Sequence, residues 1–86
     1  MSVTLPSWFK YRQGKAEPAG DNLLKLSAPQ MSDAFIGIRP AEGGGWHGFV
    51  RAQADAADLD ATHTPLPTLP DAWGAAFELF RNHFIA

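Results

Sequence analysis

The stretch AFIGIRPAEGGGWHGFVRAQ (residues 34–53) sets two runs rich in β-branched and aromatic residues on either side of three consecutive glycines. Such side chains favour strands, and glycine adopts the positive φ angles of a tight turn without steric cost. The pattern therefore predicts a β-hairpin, with strands near 34–39 and 46–53 and with PAEGGG (40–45) between them.

The glycine run lacks the features of a phosphate-binding loop. A Walker loop needs a Lys followed by Ser or Thr, a dinucleotide loop needs GxGxxG, and both open a helix whose N-terminus meets the anion. EGGGWHGF (42–49) contains neither motif, and a strand pattern follows it. We therefore predict a flexible hairpin tip here and no phosphate site.

The apolar pattern of the two strands also predicts their register. Pairing Ile36 with Val50 collects the apolar side chains on one face, namely Ile36, Ile38, Trp46 and Val50. The opposite face then carries Phe35, Arg39, His47, Phe49 and Arg51. A slip of one residue would mix apolar and charged side chains on each face, because successive side chains of a strand point to opposite sides.

The C-terminal segment has the periodicity of an amphipathic helix. Trp73, Phe77, Phe80 and Phe84 recur at steps of four, three and four, which places them on one stripe. Asp71 follows a proline and has the side chain of an N-cap. The spacing predicts a helix over 72–84.

The remaining segments carry weaker signals. Pro6, Gly14, Pro18 and Gly20 interrupt residues 1–22, which we expect to be loosely structured, with SWFKYR (7–12) as a short strand or an extended arm. NLLKLSA (22–28) fits a strand or a short helical turn. Residues 55–61 fit a strand, a helix or a loop, and the prolines of THTPLPTLP (62–70) predict an extended connector.

Together these patterns predict an α+β fold in one domain of 86 residues. A small antiparallel sheet of two to four strands is built around the hairpin, the C-terminal helix packs on it, and an extended N-terminal arm precedes it. The predicted segments are the arm (1–22), the sheet (23–54), the acidic and proline-rich connector (55–70) and the helix (71–86). The predicted core is Ile36, Ile38, Trp46, Val50, Trp73, Phe77 and Phe80.

The composition argues against several classes of function. A net charge of −2 gives no field that attracts nucleic acid, and the absence of cysteine excludes disulfides and thiolate metal sites. No stretch has the apolar length of a signal peptide or a membrane span, so we expect a cytoplasmic protein. His47, His63 and His83 match no short zinc motif, and no serine sits in a nucleophile elbow. We expect no enzyme activity, no cofactor and no metal, and rank a metal-dependent enzyme third among the hypotheses.

The composition instead resembles that of an interface core. Charged residues are 19% of the chain against a usual value of about 25%, while aromatic residues reach 12%. A neutral surface rich in alanine and glycine explains the same numbers equally well. The leading hypothesis is a non-catalytic interaction protein, a small accessory or regulatory subunit of a bacterial-type assembly that binds a larger protein or its own copies. Its predicted partner-binding residues are Trp8, Phe9, Tyr11, Arg12, Phe49 and Arg51.

The alternative hypothesis is a small binding module on the sheet face. Arg39, His47 and Arg51 would then bind an anionic ligand or single-stranded nucleic acid, beside aromatic side chains. SWFKYRQGK (7–15) is the only basic stretch of the chain, with three cations and no acid. Three cations are few for a nucleic-acid interface. The same stretch therefore also fits a segment that packs its aromatic residues on its own fold.

Overall fold

The computed structural model describes residues 5–29 and 31–84 and shows a five-stranded antiparallel sheet in the order β1-β2-β3-β4-β5 with a long C-terminal helix. The elements are α1 (Ser7–Tyr11), β1 (Lys15–Gly20), β2 (Leu23–Ser27), β3 (Ala34–Pro40), β4 (Trp46–Arg51), β5 (Asp60–Ala61) and α2 (Leu69–Phe84). The predicted α+β class is confirmed, with one strand more than the expected maximum of four.

The hairpin of β3 and β4 has the register that the apolar pattern predicts. Ile36 lies opposite Val50 and Pro40 lies opposite Trp46. All three glycines of the tip have positive φ, between 79° and 114°, which is the region where a side chain would be strained. The glycines are therefore required by the turn itself, and the face assignments of the two strands are correct.

The helix α2 lies directly on the backbone of β4 at Gly48. A Cβ at Gly48 would come within 2.8 Å of the Ala72 carbonyl oxygen and 3.0 Å of the Ala76 nitrogen. Ala72 and Ala76 are themselves fully buried. Small residues on both elements thus let the helix and the sheet approach closely, and the large side chains on either side of the contact fill the core.

The core lies between this helix and the α2-facing side of the sheet. Six of the seven predicted core residues are buried there: Ile36, Ile38, Val50, Trp73, Phe77 and Phe80. Trp46 is half-buried at the margin, where its backbone exchanges hydrogen bonds of 2.9 and 2.8 Å with Leu66 of the proline-rich connector. The connector therefore runs beside β4 and closes that end of the core.

The N-terminal segment differs from the predicted extended arm. Residues 7–11 form a helix and residues 15–20 form the edge strand β1, whereas residues 1–4 of the predicted arm lie outside the described part of the chain. Pro18 is compatible with a strand here because β1 is an edge, where a missing N–H costs little. The prolines and glycines of this segment therefore limit the length of the helix and the strand but do not prevent either from forming.

The helix α2 begins three residues before the predicted start and is described as far as Phe84. Its N-terminus is capped by Thr68 and not by Asp71: the Thr68 hydroxyl oxygen accepts a hydrogen bond of 3.2 Å from the Asp71 N–H. Pro70 lies inside the first turn, where its missing N–H has no intrahelical role. Residues 85 and 86 lie outside the described part of the chain.

The segment 55–61, left open by the sequence, is a loop that ends in the short strand β5. Phe49 lies opposite Ala61, and the Leu59 N–H donates to the Val50 carbonyl at 2.8 Å. The loop is thereby brought beside β4, where its Asp58 pairs with Arg51.

Two glycine substitutions test the helix–sheet contact by opposite effects on stability. Gly48→Ala forces α2 away from β4, so we expect the free energy of unfolding to fall by about 1–3 kcal/mol. Gly74→Ala is the matched control, because an added Cβ at Gly74 meets nothing within 4 Å and glycine weakens a helix interior. It should raise the free energy of unfolding by up to about 1 kcal/mol in urea titrations. A neutral Gly48→Ala would contradict the contact.

Candidate functional site

Helix α1 is held to the protein by two aromatic side chains. Phe9 is fully buried (0% exposed), and its ring centroid lies 5.7 Å from that of Phe77 and 5.6 Å from that of Phe80. Trp8 is half-buried and its ring stacks on that of Phe80, with 6.0 Å between the ring centroids. The Arg81 guanidinium lies 5.5 Å from the centre of the Trp8 ring. The inner side of α1 therefore belongs to the core of the fold.

The end of α1 is fixed by a Schellman motif. The Gly14 N–H donates to the Phe9 carbonyl at 3.0 Å, and the Gln13 N–H donates to the Lys10 carbonyl at 2.9 Å, with Gln13 in the left-handed region at φ 59°. A Cβ at Gly14 would lie 2.5 Å from the Phe9 ring. The backbone that follows the helix thus closes over Phe9, and both the turn and the aromatic ring fix the orientation of α1.

The outer side of α1 carries an exposed tyrosine among cations. Tyr11 is 92% exposed, and Lys10, Arg12 and Lys15 are exposed around it in the sequence. Ion pairs between described residues use the other four Lys and Arg side chains, namely Lys25, Arg39, Arg51 and Arg81. None of these pairs involves a cation of residues 10–15. We call Lys10, Tyr11, Arg12 and Lys15 the α1 surface.

An open depression of about 280 Å³ adjoins the α1 surface. Its lining residues are Gln13, Lys15, Ser27, Ala28 and Pro29. Lys15 belongs both to the depression and to the α1 surface, so a molecule that contacts the cations also meets a shallow site with small apolar side chains.

The second candidate site, on the sheet face away from α2, is occupied by the protein's own groups. Phe49 lies under two guanidinium groups, with Arg39 4.9 Å and Arg51 4.5 Å from its ring centre, and is 6% exposed. Gly37 lies opposite Phe49 in the neighbouring strand, and any Cβ there would overlap the ring. The ring is therefore buried between a backbone and two cations.

Asp58 joins the two arginines. One carboxylate oxygen lies 2.8 Å from Arg39 and the other lies 2.8 Å from Arg51. Burial acts to raise the pKa of Asp58, but the hydrogen bonds and charges of Arg51 and Arg39 outweigh it, so the pKa lies below its ordinary value. We call Phe49, Arg39, Arg51 and Asp58 the Phe49 clamp.

His47 of the alternative site is also engaged within the protein. Its Nδ1 atom lies 3.0 Å from the Thr62 hydroxyl oxygen, and the Gly48 N–H donates a hydrogen bond of 3.1 Å to the same oxygen. His47 lies opposite Arg39 in the sheet. The structure thus brings Arg39, His47 and Arg51 to one face, as predicted, and gives each of the three a contact with another part of the sheet or its loops.

The six predicted partner-binding residues fall in different environments. Tyr11 and Arg12 are exposed, Trp8 is half-buried and Phe9 is buried, while Phe49 and Arg51 belong to the clamp. The prediction omitted Lys10 and Lys15, although the basic stretch 7–15 contained the signal. It also missed Asp58, because no local pattern shows which cation a loop carboxylate meets.

A second ion pair that the sequence did not reveal ties α2 to β5. His83 Nε2 lies 3.1 Å from an Asp60 carboxylate oxygen. The hydrogen bond from His83, with that from the Ala61 N–H and the nearby His63, holds the pKa of Asp60 below its ordinary value. The pair is exposed, so it orients the end of α2 and adds little stability.

Residues 5–29 and 31–84 contain neither a metal-binding cluster nor a membrane-spanning helix. No three His, Asp or Glu side chains gather there as a metal-binding group. No helix within the same residues has the length and apolar character needed to cross a bilayer. In comparisons with known proteins, no protein-family model, no curated protein and no solved structure matches this chain.

Two neighbouring aromatic residues of α1 should differ sharply in their effect on stability. Phe9→Ala removes a fully buried ring, so we expect a loss of about 3–5 kcal/mol in the free energy of unfolding. Tyr11→Ala removes an exposed ring and should change it by less than about 0.5 kcal/mol. Urea unfolding followed by far-UV circular dichroism measures both, and similar losses for the two variants would mean that α1 is not packed as described.

The Phe49 clamp should make the protein sensitive to acid. The folded-state pKa of Asp58 is depressed, so its stabilising contribution is present above about pH 3.9, the usual pKa of aspartate, and is lost as the pH falls through the folded-state value. We expect Asp58→Asn to be less stable than the wild type by about 1 kcal/mol at pH 7. The variant should also lose less stability than the wild type between pH 7 and pH 3.

The control for this experiment is Asp55→Asn, which changes the net charge equally at an exposed loop position outside the ion pairs between described residues. Urea unfolding at both pH values measures the difference. If Asp58→Asn and Asp55→Asn have the same acid dependence, the clamp does not act as an ion pair in solution.

Proposed function

We propose that the protein is a non-catalytic interaction protein, a small accessory or regulatory subunit of a larger assembly, and that it binds its partner through the α1 surface. The observation that carries the proposal is Tyr11, which is 92% exposed on a helix whose next side chain inward, Phe9, is fully buried. We place it in the cytoplasm, the location that the cysteine-free sequence favours.

The rigidity of α1 supports binding at this surface. Tyrosine and arginine are, with tryptophan, enriched among binding hot spots, and both are present here at adjacent positions. Binding costs less conformational entropy when the contacting side chains project from a backbone that is already ordered. The Schellman motif and the packing of Phe9 supply that order for Tyr11 and Arg12.

The predicted partner-binding residues thus divide into two roles. Tyr11 and Arg12 remain as contacts, and Lys10 and Lys15 join them because both are exposed and unpaired among the described residues. Trp8 and Phe9 act from beneath as positioning residues. Phe49 and Arg51 hold the sheet face together through the clamp, far less available to a partner than the sequence suggested.

Side chains are better suited than strand edges to this interaction. The edge strand β1 carries Lys15, Pro18 and a bulge between Pro18 and Gly20, which are devices that oppose pairing with another strand. The strand at the other end of the sheet, β5, is only two residues long. A partner therefore has little backbone to pair with at either edge of the sheet.

The sheet-face alternative has less support. An anionic ligand at Arg39, His47 and Arg51 would have to displace Asp58, which bonds both arginines at 2.8 Å. A base could not stack on the Phe49 ring without moving the guanidinium groups that lie over it. Binding of single-stranded nucleic acid or a small anion therefore needs a rearranged face.

Photochemical cross-linking in cells of the source organism tests the proposal. Tyr11 is replaced by p-benzoylphenylalanine, and we expect one discrete adduct with another protein, because the residue lies at the contact. The same amino acid at Leu59, which is 49% exposed in the loop before β5, is the matched control and should give none.

Charge variants then show whether the adduct depends on the α1 surface. Arg12→Glu should remove most of the adduct, whereas Lys25→Glu, with the same change in charge at a cation that pairs with Asp33, should leave it. The proposal fails if position 11 gives no adduct, or if positions 11 and 59 give the same set of adducts.

A further inference from the structure

We infer that the partner contacts the α1 surface through a short acidic segment of polypeptide. This inference rests on the proposed function and specifies the chemistry of the partner. Of the seven Lys and Arg residues of the chain, four form ion pairs between described residues, and the three that do not are Lys10, Arg12 and Lys15. The positive charge that is left for another molecule is therefore concentrated in one stretch of six residues.

The cations favour carboxylates over a neutral partner. All three cations, Lys10, Arg12 and Lys15, are exposed. Each can therefore contact a partner without any rearrangement of the fold. Arginine pairs with carboxylates through two parallel hydrogen bonds, and lysine adds a point charge beside them. An acidic segment therefore gains three ion pairs at the α1 surface, while a basic segment is repelled.

The length of the segment is limited by acidic residues next to the α1 surface. Glu17 lies two positions after Lys15 in β1, on the same side of the strand, and is exposed. Asp21 follows in the exposed turn before β2. Neither carboxylate forms an ion pair with a described residue. A long polyanion that continued beyond Lys15 would meet like charges, so a short run of acidic residues fits better.

This charge distribution distinguishes an acidic polypeptide from the other anionic partners. Nucleic acid carries uniform negative charge over a long surface, and a binding site for it needs more cations and several stacking rings. An anionic membrane would need an apolar helix face, but the apolar residues of α1, Trp8 and Phe9, pack inward on α2. Only the short acidic segment matches both the number of cations and the single exposed ring.

Tyr11 and the depression indicate what lies beside the acidic residues. The Tyr11 ring presents an apolar face and a hydroxyl group, which suits an aromatic or aliphatic neighbour next to the carboxylates. The depression of about 280 Å³ beside Lys15 has Ala28 and Pro29 in its lining and can receive such a side chain. The preferred segment thus has single apolar residues between its acidic residues.

The test is titration of the full 15N-labelled protein with two synthetic peptides, EDFEDLE and its amide counterpart QNFQNLQ. We expect amide resonances of the α1 surface to shift with the acidic peptide, with an affinity at least about tenfold higher than that of the amide peptide. The affinity should fall as NaCl is raised from low to physiological concentration, because exposed ion pairs are screened.

Charge variants and competing anionic probes test whether binding of the acidic peptide is specific to the α1 surface. Arg12→Glu and Lys15→Glu should each abolish the preference for the acidic peptide, while Lys25→Glu, with the same change in charge, should retain it. The inference is overturned if the two peptides bind alike, if neither binds, if the shifts lie elsewhere, or if Lys25→Glu is equally damaging. It is also overturned if oligo-dT or vesicles containing phosphatidylserine shift the same resonances at lower concentration.

The peptide titration and the cross-linking experiment distinguish a failure of this inference from a failure of the proposed function. If the cross-link at position 11 forms in cells while EDFEDLE does not bind, the partner is not acidic and the interaction stands. If the cross-link is absent as well, both the acidic segment and the proposed function are wrong.

Discussion

The close approach of α2 to β4 at Gly48 is the constraint on which the rest of the structure depends. The backbone of the helix lies against that of the strand, and Phe77 and Phe80 of the same helix are fully buried. The ring centroid of Phe9 lies 5.7 Å from that of Phe77 and 5.6 Å from that of Phe80. A larger residue at Gly48 would move α2 and disturb the packing that holds α1. The exposed surface of a five-residue helix thus depends on a glycine in β4.

The apolar side chains on the two faces of the sheet are shielded from solvent in different ways. One face is covered by α2, whereas the other has a single buried ring, Phe49, covered by arginines that Asp58 holds in place. Gly37 makes room for that ring as Gly48 makes room for the helix. The clamp engages Arg39 and Arg51, which the sequence suggested as ligand-binding residues, and this is why we propose the α1 surface as the interaction site instead.

The predictability of each part follows the range of the interactions that determine it. The register of β3 and β4 depends on alternation within one hairpin, so Ile36 and Val50 revealed it without tertiary information. The burial of Phe9 depends on contacts with Phe77 and Phe80, which lie about 70 residues later in the sequence. No local sequence pattern shows that these rings meet. For the same reason the loop carboxylate of Asp58 was not recognised as the partner of Arg39. The basic stretch was visible in the sequence, but only the ion pairs of the other four cations show that its own cations have no such partner among the described residues.

The central claim is that α1 presents Tyr11 from a fixed position on the core, and backbone 15N relaxation of the free protein tests it most directly. We predict order parameters of about 0.85 for residues 7–12, equal to those of β3 and typical of rigid backbone. Values below about 0.6 for these residues, with β3 remaining rigid, would show a flexible segment and contradict the account.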